Sequence, residues 1–202
     1  MWQIKNMKQL NSIQLLESLQ SDVREIMLAT AKLSQQDPEL LMQQPGAGRW
    51  SVAQVIAHLN SYGRYYLPAI EASMNKHAYK KNEHFKPGVI GNYFTKMMLP
   101  GKNGQIANKM QSPKDHRPDM DVHSKPMIEE FIAQQQQLLN LLERAKQTDL
   151  SKVRVPISIS KFIKLKLGDT FRFLIAHQQR HFVQVENTLR QVSQKYIQQP
   201  IG

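Results

Sequence analysis

Apolar residues recur at three- and four-residue spacing in four stretches of this chain, the spacing that gathers side chains onto one face of an α-helix. The first stretch runs from about Asn11 to Leu33, with Leu16, Leu19, Val23, Ile26, Thr30 and Leu33 on one face. It stops before Asp37-Pro38. A short turn of helix is expected there, ahead of the breaker Pro45-Gly46-Ala47-Gly48. The second opens on Ser51-Val52-Ala53-Gln54, a capping box in which the serine hydroxyl takes the Gln54 amide and the Gln54 side chain returns to the Ser51 amide. Trp50 and Val55 are spaced to close it as a hydrophobic staple. Its stripe is Val55, Ile56, Leu59, Tyr62 and Tyr66. Pro68 lacks an amide donor, which predicts a kink or an end near Tyr65.

The third helix is predicted from Ser124-Lys125-Pro126, with Glu129 and Glu130 near the positive end of its dipole. Ile128, Phe131, Ile132, Leu138, Leu139 and Leu142 form its stripe. The fourth is predicted from Asp169, as N-cap, to about Tyr196, with Phe171, Leu174, Ile175, Phe182, Val185, Leu189 and Val192 on its apolar face. Between the second and third lies a connection, residues 77–123, far longer than the usual four to six or so residues. Val89 to Leu99 within it reads as a short amphipathic helix. Val153, Val155, Ile157 and Ile159 alternate with polar residues or Pro156 and read as a short extended segment. The expected fold is all-α: one four-helix bundle domain over residues 1–202, with a long crossover between helices 2 and 3 at residues 76–126.

An apolar content of 41% is enough for a real core. No stretch approaches the roughly 20 apolar residues of a membrane-spanning helix, and no apolar run of signal-peptide length follows Lys5 and Lys8, so a cytoplasmic protein is the expectation. The chain has no cysteine, which leaves His, Asp and Glu as the candidate metal ligands and removes a cysteine nucleophile. The net charge of +11 is localised. Residues 76–126 hold ten Lys/Arg against four Asp/Glu, residues 151–166 hold five against none, and the remainder is balanced at twelve of each. The basicity therefore belongs to connecting segments. It reads either as solvated surface or as an electropositive rim that attracts an anionic small molecule.

Three histidines fall within apolar stripes. His58 lies three residues after Val55 and four before Tyr62, while His177 and His181 are four residues apart between Leu174 and Val185. Any one of them alone reads as a core histidine bonded to a backbone carbonyl. Together, on facing helices of a bundle without cysteines, they read as a three-nitrogen site with an open fourth position, the pattern of catalytic zinc. His77, His84, His116 and His123 lie in the basic crossover without helical spacing and read as solvated. Arg180 is expected to face away from the stripe. No Ser/His/Asp triad, phosphate loop or retaining carboxylate pair is present by spacing.

Trp50–Leu59, followed by an aromatic-rich helix, resembles the second helix of the DinB-like (DinB/YfiT) superfamily. Ala176-His177-Gln178-Gln179-Arg180-His181-Phe182-Val183-Gln184 resembles its last helix. The resemblance implies a four-helix bundle and a divalent metal, commonly nickel or zinc, held by His58, His177 and His181. It also implies frequent homodimers. Characterised relatives include transferases and an isomerase that use low-molecular-weight thiols such as bacillithiol or mycothiol. Many relatives carry an acidic residue about one turn after the first histidine, where this chain has Asn60 and Ser61.

The functional expectation is a metal-dependent enzyme, a thiol-dependent S-transferase or a hydrolase acting on a small anionic substrate, with Gln184 orienting the nucleophile or the substrate. The alternative is a non-enzymatic binding protein whose basic loops contact nucleic acid or an anionic membrane, with a structural metal or none. Against nucleic acid, the basic residues do not align along one helix, and the interleaved aromatics Tyr79, Phe85, Tyr93 and Phe94 are few.

Overall fold

The computed structural model describes residues 8–76, 79–101 and 111–198. His77 lies outside the described residues, as does the 102–110 part of the crossover. Helix α1 spans Ser12–Leu33, and its N-cap is Asn11, whose side chain accepts the Gln14 amide at 3.0 Å. The expected face, from Leu16 to Leu33, is the one it buries. Asp37 caps the short α2 (Pro38–Met42), which fills the turn before the breaker. The capping box forms as spaced: the Gln54 amide donates to Ser51 Oγ (3.2 Å), and the Ser51 amide donates to Gln54 Oε1 (3.0 Å).

Helix α3 then runs Val52–Lys76, straight through Pro68. It does not end near Tyr65. Tyr66, Leu67, Ile70 and Met74 are all buried in the core, and their packing offsets the one backbone hydrogen bond that proline removes. After the tiny ladder of β1 (Leu10–Asn11) with β2 (His84–Phe85), helix α4 spans Val89–Met98, close to the expected segment. Helix α5 spans Ser124–Ala145, starting where expected, with His123 at the N-cap position. Its buried face adds Gln135, Leu141 and Ala145, while Ile132 and Leu139 are only partly buried.

The predicted extended segment is half of an antiparallel hairpin, β3 (Arg154–Ile157) with β4 (Ser160–Lys166). Val153, Val155 and Ile157 are buried as the alternation requires, but Ile159 sits at the tip and is exposed. The second strand was not expected. Its pattern, Lys161-Phe162-Ile163-Lys164-Leu165-Lys166, buries Leu165 and leaves Phe162, Ile163 and Lys164 exposed.

Helix α6 follows β4 without a loop and spans Leu167–Gln198. Asp169 is therefore inside its first turn and is not its N-cap. The cause is that the Leu167 and Gly168 amides donate to the Val153 and Leu150 carbonyls, which starts the helix three residues early. Asp169 instead serves α4: its Oδ2 accepts the Gly88 amide at 2.7 Å, and its Oδ1 is paired with Arg172 at 3.1 Å. The four long helices α1, α3, α5 and α6 share one core, with Leu16, Ile56, Phe131, Leu138 and Phe171 among its fully buried side chains.

The seat of α4 on α6 requires a glycine. A Cβ added at Gly91 would lie 2.4 Å from Cβ and Cγ of Asp169, which its two polar partners hold in place. Gly91→Ala is expected to lower unfolding stability by about 1–3 kcal/mol despite the better helix propensity of alanine. Chemical denaturation checks it, and an unchanged or raised midpoint would contradict this close packing.

Candidate metal centre

Three imidazoles meet between α3 and α6. Straight helical geometry places His177 and His181 one turn apart, and α3 presents His58 opposite them. His177 Nε2 lies 3.3 Å from His58 Nε2 and 3.1 Å from His181 Nε2. One ligand atom from each of the three falls within 4.8 Å of the others, so the three could hold one metal ion. His58 and His177 are buried and His181 is half-buried.

The outer nitrogens set the orientation. His58 Nδ1 donates to the His116 carbonyl at 2.7 Å, and His181 Nδ1 donates to Gln184 Oε1 at 2.9 Å. Each of those bonds leaves Nε2 with its lone pair turned inward. His177 Nδ1 is buried without a hydrogen-bond partner. Without a cation, a proton on His177 Nε2 serves both neighbours. With one, all three Nε2 atoms become donors of lone pairs.

Burial keeps the rings neutral. It pushes His58 down to about 4 and His181 down to about 3, and holds His177 well below the ordinary imidazole value. The mutual repulsion of the rings, were they charged, pushes His177 and His181 further the same way. Neutral imidazole is the ligating form. A divalent cation fits this donor set because it faces three neutral nitrogens and displaces no buried positive charge.

His116 corrects the expectation of a solvated residue. It is buried, its Nδ1 lies 2.9 Å from Ser61 Oγ, and its ring centroid is 4.0 Å from that of Tyr62. A 3-10 turn, Lys114–His116, brings it there. The strap around it is fastened along α3: the Gln54 side-chain amide donates to the Asp119 carbonyl at 3.2 Å, one turn before His58. The signal that could have found it is the pair of prolines, Pro113 and Pro118, which bracket a short rigid segment inside an otherwise long connection. His84 and His123 are exposed as expected.

Aromatic rings wall the site. Tyr62 lies between His116 and His177, 4.2 Å from the latter, and Trp50 lies 5.1 Å from His58. Arg180 is also buried, against the expectation that it would point outward. Of the crossover, Ser112 and His116 lie against the site. Lys80, Lys81 and Lys86 are exposed.

A family model of the DinB superfamily matches residues 21–185, which include all three histidines and Gln184, and the chain belongs to that superfamily. No curated protein and no solved structure matches the chain.

The neutral histidines make folding sensitive to acid. Their folded values are depressed below the roughly 6.5 of an unfolded histidine, so the unfolded chain takes up protons that the folded one refuses. The stability they allow is complete above that value and is lost as pH falls towards 4. Each group contributes a slope of about 1.4 kcal/mol per pH unit in that window. Denaturation of the metal-free protein at stepped pH should show this loss, and His177→Phe should remove about one residue's share of the slope. A flat profile between about pH 6.5 and 5 would contradict neutral burial.

Proposed function

We propose that this DinB-superfamily protein is a metal-dependent enzyme: a one-domain four-helix bundle, with residues 76–126 crossing between α3 and α5, that uses His58, His177 and His181 to hold a zinc or nickel ion. The observation that carries this reading is the convergence of three neutral Nε2 atoms, two of them aimed by acceptors on their far nitrogens. An ion bound by three protein ligands acidifies a thiol or a water at its remaining position, the activation that an S-transferase or a hydrolase needs.

The chain's own residues favour the thiol. The side chains one turn after His58 supply no base: Asn60 Nδ2 donates to the Met127 carbonyl at 2.9 Å, and Ser61 Oγ donates to the His58 carbonyl at 2.7 Å. Among the described residues no carboxylate is hydrogen-bonded to the three histidines. A thiol, with a pKa near 8.5, ionises far more easily than water at 15.7 or so, and so needs less help from a base. The His116 carbonyl and Gln184 Oε1 hold the two rings in place. Gln184 Nε2 is left to donate to a substrate. Trp50 and Tyr62 exclude water from the inner face of the site.

Titration with zinc or nickel is expected to show one ion per chain. His177→Ala should abolish tight binding while far-UV circular dichroism stays helical, because the apolar stripes supply the buried area. Gln184→Ala should weaken binding by about 10- to 100-fold through its hold on His181. Turnover of a panel of electrophiles with low-molecular-weight thiols should follow metal content across these variants. Undiminished binding in His177→Ala would reject the ligand set. Loss of helicity together with the metal would make the ion structural.

A further inference from the structure

The second charged segment, residues 151–166, plays no part in the metal centre, and the surface it forms with α4 is unusual. Phe162, near the tip of the β3–β4 hairpin, is 98% exposed, and Ile159 and Ile163 beside it are exposed too. On α4, Gly91, Thr95 and Met98 face the core, while Val89 (65%), Ile90 and Tyr93 (63%) turn outward. The hairpin and α4 meet at one cleft. Val89 and Ile90 line a cleft of about 210 Å³ together with Arg154, Lys164 and Lys166 of the hairpin. Strand alternation puts Lys164 and Lys166 on the same side of β4, and Phe162 lies in the irregular stretch between them and the tip.

Charge selects the partner. No acidic residue occurs from His84 to Lys114 or from Ser151 to Lys166. Asp169, which lines the cleft, is buried and already engaged by Arg172 and the Gly88 amide. The surface thus presents projecting aliphatic and aromatic side chains rimmed by Lys86, Lys96, Arg154 and Lys164, with no exposed acid among them. Exposed apolar groups gathered on one face are a candidate interaction site. A nucleic-acid backbone would satisfy the cations, but Val89, Ile90 and Phe162 gain nothing from phosphates. An anionic bilayer satisfies both, since its headgroups take the cations and its interfacial region takes the apolar groups. No helix among the described residues is long and apolar enough to cross a membrane, so the contact is peripheral.

We propose that the α4 face and the β3–β4 hairpin form a docking surface for an anionic lipid bilayer, with Phe162 as the inserting side chain. The surface lies beside Asp169, about two turns of α6 from His177. This inference stands on the surface alone and does not depend on the metal reading.

The test is flotation of the full-length protein with phosphatidylcholine vesicles, with and without phosphatidylglycerol. Binding is expected to the phosphatidylglycerol vesicles, weakening as salt rises, and not to phosphatidylcholine alone. Arg154→Gln with Lys164→Gln should reduce binding by about 25-fold, at roughly fivefold per cation. Phe162→Ser should reduce it by about tenfold or more. Phe162 is too exposed for its loss to unfold the chain, and circular dichroism confirms that. Three results would overturn the proposal: equal binding to both vesicle types, no binding to either, or a loss with the charge variants that Phe162→Ser does not share. The last would point to a polyanion such as nucleic acid. Self-association lost in Phe162→Ser, without vesicle binding, would make the surface an interface between two copies of the chain.

Discussion

A neutral imidazole buried between two helices must place both of its nitrogens, and the architecture around His58 is organised by that need. Leaving a buried donor without an acceptor costs about 1–3 kcal/mol. The inner nitrogens of His58, His177 and His181 converge on one another, so the outer ones of His58 and His181 find acceptors elsewhere, while that of His177 has none. His181 finds one on its own helix, three residues on, in Gln184. His58 cannot, because Ser61 is turned back to the His58 carbonyl. Its acceptor comes from a residue 58 positions away, the carbonyl of His116. The strap that carries His116 is in turn fastened by Gln54, the same side chain that closes the capping box at the start of α3. Cap, strap and ligand orientation are thus one connected set of bonds.

The two basic segments then separate in role. The later part of the crossover is drawn to the histidine cluster through one backbone carbonyl. The earlier part, with α4, is pinned instead to the start of α6 by Asp169 and by Arg172, which reaches Asn92 at 3.1 Å. Rigid helices hold the candidate chemistry, and connecting segments carry the charge and the exposed apolar groups, the division of labour usual for a scaffold and its loops.

Much of this was legible in the sequence. Four amphipathic stripes located the long helices, the Ser51–Gln54 spacing gave the start of α3, and i, i+4 spacing put His177 and His181 on one face. What was not legible required tertiary context. Pro68 reads as a kink or an end by local rules, and only the burial of Tyr66, Ile70 and Met74 shows why the helix continues. Asp169 reads as a cap for α6 because the bonds that start that helix early, from the Leu167 and Gly168 amides to the Val153 and Leu150 carbonyls, are long-range. His116 reads as solvated because no periodicity exists in a connection, and its role is played by a backbone carbonyl that no residue type announces. Arg180 reads as outward by helical phase, yet α6 is enclosed widely enough to bury it.

The most direct test of the central claim is X-ray absorption spectroscopy at the metal edge, on the protein loaded with one equivalent of zinc or nickel. The account predicts a shell containing three imidazole nitrogens at about 2.0–2.1 Å, with a further light or sulfur ligand that changes when a thiol is added. A shell dominated by carboxylate or solvent oxygen, without the multiple scattering of imidazole, would contradict it.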